Sequence, residues 1–417
     1  MRSSGRQFFV PKGTVVPADV VVSLSLVVLI AVMAPILTSR LRMVPEVVLL
    51  LVGGMVIGPH VMGIATDGEA IDLLSELGLG MLFLIAGYEI EVPELTGRRG
   101  KRAWVAWLVS LALAIGLVSV LGVMGDSGTA GLSVAIAMTA TALGTLLPIL
   151  HEAGLKNTAV GRSVTVHGAV GELGPVLAMA LLIGTRNTLV SLLVLLAFAA
   201  VAVVAAVIPL RLQRVSTRLK ELIRYKSETT SQLGVRITLL LLILLITVAA
   251  LMDLDIILGA FAAGFILRRL LPQGDERLEM KLDAIGYGFL IPIFFVISGM
   301  SISPASVAAD PTLLIGFLVV MIVVRGVPVW VELRLDRRSD LTPNGRLQVA
   351  TYSATSLPMI VAVMSVAVAA EAVPSDIAGV LVAAGALSVL VMPLMAQAVG
   401  AYGRRNGLPD EVPAERG

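Results

Sequence analysis

Cysteine is absent from the 417-residue chain, which excludes disulfide bonds, thiolate metal sites and cysteine nucleophiles. Histidine is scarce as well, with three residues. The sequence also lacks an H-E-x-x-H zinc motif, a phosphate-binding loop and a G-x-S-x-G nucleophile motif. The sequence therefore shows no motif for hydrolytic or nucleotide-driven chemistry. We expect neither an enzyme with catalytic residues nor a bound cofactor or structural metal.

Charged residues are sparse. They make up 14% of the sequence, against 57% hydrophobic residues, and the mean hydropathy is +0.96. Because such a chain cannot cover a soluble globule with a polar surface, we expect an integral membrane protein. Residues 1–17 are polar and mixed and lack the pattern of a cleaved signal peptide, so we expect the first apolar segment to be retained.

Apolar segments of helical length alternate with charged or Gly/Pro-containing breaks and predict an all-α polytopic protein with thirteen transmembrane helices. These segments, called spans one to thirteen, cover residues 18–38, 44–63, 70–90, 103–124, 130–150, 161–184, 187–210, 233–252, 254–271, 283–301, 311–331, 345–370 and 376–402.

Basic residues cluster in every second loop. These loops and the C-terminal tail hold most of the 31 Lys and Arg residues, whereas the loops of opposite parity hold only Arg186. By the positive-inside rule we expect these basic loops and the C-terminus in the cytoplasm and the N-terminus outside, in the cell membrane. The basic residues of the N-terminal tail are a small exception.

The two halves of the chain resemble each other. F-L-I-A-G-Y-E-I at residues 83–90 matches F-V-I-S-G-M-S-I at 295–302, and T-A-T-A-L at 139–143 matches S-A-T-S-L at 353–357. Because the matching spans lie an odd number of spans apart, the two copies must be inverted, which is typical of secondary transporters.

This repeat predicts five regions of the chain. They are an extracytoplasmic tail (1–17), a first membrane repeat of spans one to six with linking span seven (18–210), a basic cytoplasmic linker (211–232), a second, inverted repeat (233–402) and a cytoplasmic tail (403–417).

The repeated T-A-T-A-L and S-A-T-S-L stretches place small polar residues in the middle of spans five and twelve. Such stretches suit locally broken helices, which are tolerated at membrane depth where they line a cavity. We therefore expect Thr139, Thr141, Ser353 and Thr355 to line the site. Tight helix packing by small residues is the alternative.

Span six contains the most informative residue. Glu172 lies roughly 16 Å into this span at about 1.5 Å per residue, near the membrane midplane. A carboxylate there costs at least a few kcal/mol unless it faces a partner or a water-filled cavity. We interpret Glu172 as the ion- or proton-binding residue; the alternative is a protonated carboxyl group that only packs helices.

Arg325 is the one basic residue well inside a span, and it lies at a depth comparable with that of Glu172. If it is buried, an opposite charge would offset its desolvation, so we expect Glu172 as its charge partner. Snorkelling to the interface is the alternative. His167 and Gly171 are candidates for a cytoplasmic vestibule, and hydrogen-bonded packing is the alternative for His167.

The chain resembles the Kef-type and NapA-type group of monovalent cation:proton antiporters over nearly all of its length. Four stretches carry the resemblance: V-P-E-V-V-L-L-L-V-G-G-M-V-I-G-P (44–59), L-F-L-I-A-G-Y-E-I (82–90), A-M-T-A-T-A-L (137–143) and P-I-F-F-V-I-S-G-M-S-I (292–302).

The resemblance implies a homodimer of thirteen-span subunits, each with a dimerisation domain and a core in which spans five and twelve cross as broken helices. It also implies that a carboxylate of span six binds the ion or protons and that a basic residue of span eleven neutralises it. Glu172 and Arg325 match these two positions.

The chain departs from that family at one position. The family usually has Asp-Asp, Asn-Asp or Gln-Asp in span six, whereas this chain has Gly171-Glu172. We expect exchange of Na⁺ or K⁺ for protons by alternating access. Two other functions stay open: a carrier of organic solutes, if Gly171 leaves a larger cavity, and a non-transporting membrane sensor or partner that lost the ion site.

Overall fold

The computed structural model describes residues 18–40, 44–66, 68–90, 95–122, 128–182, 188–215, 232–271, 274–336, 338–406, 408 and 410–411. The predicted N-terminal tail, residues 216–231 of the predicted linker and residues 412–417 lie outside the described residues. The regular structure of the described residues is helical, apart from an isolated bridge between Leu341 and Glu411.

Eighteen α-helices and two short π-helical segments make up the described fold. The first nine helices are α1 (Ala18–Arg40), α2 (Glu46–Ile57), α3 (Glu69–Glu89), α4 (Arg98–Val120), α5 (Thr129–Met138), α6 (Leu143–Glu152), α7 (Ala159–Leu182), α8 (Thr188–Val215) and α9 (Leu233–Leu251). The others are α10 (Ile256–Leu270), α11 (Glu276–Ile285), α12 (Ile291–Met300), α13 (Pro304–Ala309), α14 (Pro311–Met321), α15 (Val327–Leu335), α16 (Pro343–Ser353), α17 (Pro358–Ala369) and α18 (Ser375–Arg405). The π segments are Gly286–Leu290 and Ile322–Gly326.

Each of the thirteen predicted spans contains at least one of these helices. Ten helical stretches in the described part of the chain are long and apolar enough to cross a membrane, and two further apolar helices are shorter. The all-α membrane fold predicted from the sequence is confirmed, while the count of thirteen spans stays a prediction.

Several helices begin where a side chain accepts a hydrogen bond from a backbone N–H of the first turn, as expected for Asp, Ser and Thr at these positions. The capping residues and the helices they precede are Asp255 (α10), Asp275 (α11), Ser303 (α13), Asp310 (α14) and Thr342 (α16).

The helices pack into two groups, each with helices from both halves of the chain. The first group, called the α3 bundle, consists of α1, α2, α3, α9, α10 and α12. The second group, called the α7 bundle, consists of α4 to α7 and α14 to α18. Helix α8 packs against both α7 and α10, and the site lies between the two bundles.

Polar contacts define one end of the molecule, called the basic end. There Arg98 and Arg99 at the start of α4 pair with Asp336 and Asp340 after α15. The C-terminal segment lies at the same end, because Asp410 accepts hydrogen bonds from Asn344 and Gln348 of α16 at 2.6 Å each. Glu411 accepts one from the backbone N–H of Ala159, the first residue of α7.

Candidate functional site

Spans five and twelve are both interrupted in the middle. Span five changes from α5 to α6 across residues 139–142, and span twelve changes from α16 to α17 across residues 354–357. These breaks agree with the predicted stretches to within one residue at each end. Pro358 accounts for the second break, because proline disfavours helical geometry in the residue before it, here Leu357.

The two breaks contact each other. The backbone N–H of Ala142 donates to the carbonyl of Thr355 at 2.8 Å, and the Thr141 hydroxyl donates to the carbonyl of Ser353 at 2.6 Å. Thr139, Thr141, Ser353 and Thr355 are fully buried in packed protein. Instead of these four residues, Ala142, Gly144 and Pro358 line the cavity near the breaks.

Pro175 explains how α7 holds the first break. Within a helix the N–H of residue 175 would bond to the carbonyl of residue 171, but proline has no N–H. The carbonyl of Gly171 is therefore free, and it accepts a hydrogen bond from the backbone N–H of Thr141 at 3.0 Å. The sequence thus places an open acceptor on α7 where the broken span needs one.

Glu172 caps the amino end of α6. Its Oε1 accepts hydrogen bonds from the backbone N–H groups of Leu143 at 2.7 Å and Gly144 at 3.3 Å. The amino end of a helix carries partial positive charge and unpaired N–H groups, so it stabilises a carboxylate. Glu172 is 5% exposed, and its Oε2 has no partner in the part of the chain that the structure describes.

A cavity of about 740 Å³ runs from Glu172 towards the basic end between the two bundles. The α7 bundle contributes Glu172 and Gly144 to its wall, and the α3 bundle contributes Phe295. Tyr287, in the π segment that precedes α12, also lines the cavity. Glu46, the first residue of α2, lies at the basic end of this wall. One oxygen of Glu172 is therefore held by α6, while the other is buried and has no hydrogen-bond partner among the described residues.

Arg325 lies in the π segment Ile322–Gly326 and is fully buried, so it does not snorkel. Its Nε donates to the Thr141 hydroxyl at 3.0 Å, and its Nη2 donates to the carbonyl of His167 at 2.7 Å. Arg325 thus joins span eleven to the broken span five and to α7. Its Nη1 has no partner among the described residues.

The expected ion pair between Arg325 and Glu172 is not formed in this structure. The ion pairs between described residues do not include these two side chains. Two nitrogens of Arg325 are bound by Thr141 and His167, and Oε1 of Glu172 is bound by the amino end of α6. Each side chain therefore has nearer partners than the other.

Gly171 is buried and does not form a vestibule. A Cβ at this position would lie 2.5 Å from the Thr141 hydroxyl oxygen and 2.7 Å from Nη2 of Arg325. The space that a side chain at position 171 would need is thus filled by Thr141 and by the guanidinium group. Gly171 leaves no additional cavity.

His167 belongs to a charged cluster that the sequence did not reveal. Its Nε2 lies 3.2 Å from Oε2 of Glu332, and its Nδ1 lies 2.9 Å from the carbonyl of Ser163. Glu332 also pairs with Arg102 of α4. The cluster borders a small cavity at the basic end, and the vestibule role of His167 stays a prediction. Glu332 lies near the end of span eleven and is indistinguishable there from an ordinary loop charge.

Comparisons with known proteins agree with this architecture. The family model described as "Sodium/hydrogen exchanger, transmembrane" matches residues 28–401. The protein named "Putative Na(+)/H(+) antiporter YjbQ" of Bacillus subtilis is 26% identical over 395 residues, which cover 90% of this chain and 62% of that protein. The glutathione-regulated potassium-efflux system protein KefC of Klebsiella pneumoniae is 25% identical over 286 residues, covering 65% of this chain and 44% of KefC.

The solved structure of the sodium proton antiporter MjNhaP1 from Methanocaldococcus jannaschii has a similar fold. The TM-score is 0.61 at 18% sequence identity, and the match covers 92% of this chain and 97% of MjNhaP1. The matched relatives are transporters rather than enzymes. The chain spans less than two thirds of the length of YjbQ and less than half of the length of KefC.

Proposed function

The chain belongs to the sodium/hydrogen exchanger family, and on this premise we propose that it exchanges a monovalent cation, Na⁺ or K⁺, for protons through Glu172. The surroundings of one side chain carry the proposal: Glu172 is 5% exposed, its Oε2 has no partner among the described residues, and it lines a cavity. A buried carboxylate in this setting is stabilised by either a proton or a cation, and antiport requires that the two compete for it.

Arg325 has a positioning role in this proposal. It holds the crossed breaks through Thr141 and His167, and it leaves Glu172 free of a permanent ion pair. The cation therefore meets a carboxylate whose second oxygen is available.

We also propose alternating access by relative movement of the two bundles. The cavity lies between them and extends to the basic end, which we assign to the cytoplasm of a plasma-membrane protein, with the N-terminus outside. Movement of the α7 bundle against the α3 bundle would carry Glu172 to the opposite side. We include a homodimer in the proposal, because the Kef-type and NapA-type antiporters that the sequence resembles have a dimerisation domain.

The organic-solute carrier is not favoured by the site. That alternative required additional space beside Gly171, and this space is occupied by Thr141 and Arg325. A sensor that lost its ion site is opposed by Glu172, whose Oε2 has no partner among the described residues.

Proton flux in proteoliposomes tests the proposed function. The purified protein is reconstituted with a pH-sensitive dye inside the vesicles, and Na⁺, K⁺, Li⁺ and choline are added in turn. We expect proton movement with at least one of the three metal ions and none with choline. Absence of flux with all three ions, in vesicles that hold a pH gradient, would leave the sensor alternative.

A further inference from the structure

Glu89, the last residue of α3, lies across the bundle boundary from Glu172. Its Oε2 is buried and has no hydrogen-bond partner among the residues that the structure describes. A Cβ placed on Gly144 would lie 3.9 Å from this oxygen and 3.6 Å from the Tyr287 hydroxyl. The carboxyl group therefore ends beside the amino end of α6, behind two residues that line the cavity.

Gly144 connects the two carboxylates. Its backbone N–H donates to Oε1 of Glu172 at 3.3 Å, and the space where its side chain would be faces Glu89. A Cβ there would be in ordinary van der Waals contact with both oxygens, so a methyl group fits without a clash. Gly144 and Tyr287, which lie beside this carboxyl group, both line the cavity.

Charged side chains of both signs act on Glu89. Glu172 and Asp283 contribute negative charge, and Lys156 contributes positive charge. The amino end of a helix contributes only about half a positive charge. The helix end alone therefore does not neutralise two carboxylates, and a monovalent cation or a proton between them would be stabilised by both.

We propose that Glu89 is a second carboxylate of the ion-binding site, contributed by the α3 bundle, and that it binds the monovalent cation or the exchanged proton together with Glu172. This inference rests on the proposed function. The ligand that the side chain of residue 171 does not provide comes instead from the last residue of α3, in the α3 bundle.

Four variants test this role. Glu89→Gln removes the charge, Glu89→Asp keeps it on a shorter side chain, and Gly144→Ala places a methyl group in the space between Glu89 and the cavity without a clash. Glu69→Gln is the matched control, because Glu69 is an exposed carboxylate at the opposite end of the same helix.

The first readout is cation-dependent proton flux in proteoliposomes at several pH values. Glu89→Gln should raise the half-saturating cation concentration about tenfold, the effect expected for loss of one charged ligand. Glu89→Asp and Gly144→Ala should give smaller increases, and Glu69→Gln should match the wild type. The second readout is the rise in melting temperature that Na⁺, K⁺ or Li⁺ causes in detergent, which Glu89→Gln should reduce.

The outcomes separate the two proposals. If the wild-type protein transports and Glu89→Gln has the same half-saturating concentration and pH profile, the role of Glu89 is overturned while the exchange function stands. If the wild type shows no flux, the exchange function fails. The Glu89 site is then judged by the melting temperatures, and it is overturned if cations stabilise the wild type and Glu89→Gln equally. If Glu89→Gln does not fold, an unchanged affinity in both Glu89→Asp and Gly144→Ala overturns it.

Discussion

Arg325 occupies the space that a side chain on Gly171 would fill: a Cβ at position 171 would lie 2.7 Å from Nη2 of the guanidinium group. The departure of this chain from the usual span-six pair is therefore linked to the position of a residue in span eleven. The glycine permits Arg325 to reach the carbonyl of His167 at 2.7 Å. A larger residue at position 171 should therefore be tolerated only if residue 325 is changed as well.

Gly171→Ala tests this packing. The added methyl group meets Thr141 and Arg325, and overpacking of this kind costs about 1–3 kcal/mol. We expect a lower melting temperature in detergent. Gly116→Ala is the control, since nothing lies within 4 Å of a Cβ at that helical position, and it should not lower the melting temperature. Equal melting temperatures for Gly171→Ala and the wild type would contradict the packing argument.

Thr141→Val should weaken the crossing of the two breaks. The Thr141 hydroxyl donates to the carbonyl of Ser353 and accepts from Nε of Arg325, and leaving such buried partners unpaired costs about 1–3 kcal/mol. Thr139→Val is the matched control, because the Thr139 hydroxyl, directly after α5, donates to the carbonyl of Ile136 in α5 and forms no hydrogen bond with the described residues of the other break.

We expect a clear loss of thermal stability and of cation-dependent flux for Thr141→Val, and a smaller loss for Thr139→Val. The same loss in both variants would show that the cross-break contacts of Thr141 have no special weight.

Glu332→Gln should destabilise the basic end. Glu332 contacts both His167 and Arg102, and its side chain is 10% exposed. Removing its charge leaves Arg102 with weaker pairing, at a cost of about 1–3 kcal/mol. Asp340→Asn removes the same charge from an exposed pair with Arg99, which is worth about 0–1 kcal/mol.

Melting temperatures at low and high salt distinguish the two pairs. Salt should diminish the effect of Asp340→Asn and leave that of Glu332→Gln largely intact, because buried pairs are screened less. If high salt also diminishes the loss of melting temperature caused by Glu332→Gln, the cluster contributes no more to stability than an exposed ion pair.

The broken helices could be predicted from the sequence because their cause is local. Small polar residues recur in the middle of two apolar spans, and Pro358 marks the start of α17. Glu172 was identifiable for a similar reason, since a carboxylate deep in an apolar span needs a partner or a cavity. Neither inference required knowledge of which spans pack together.

The partners of these residues could not be predicted in the same way. Sequence spacing gives the depth of Arg325 and Glu172 but not their direction around the helix axis, so two charges at similar depth were paired. The structure shows that Arg325 instead contacts Thr141 and the carbonyl of His167. The cluster of His167, Glu332 and Arg102 joins three helices that are far apart in the sequence, and no local pattern identifies it.

Cation-dependent proton flux in proteoliposomes that contain the Glu172→Gln variant tests the central claim most directly. Glutamine retains the size of the side chain and an oxygen that can accept from Leu143, but it cannot take up a proton or balance a cation. The variant is compared with the wild type in proteoliposomes at matched protein content, with the ion that drives the wild type. The account predicts that cation-dependent proton flux is abolished in a folded variant, whereas flux equal to that of the wild type would show that Glu172 is not the carrier group.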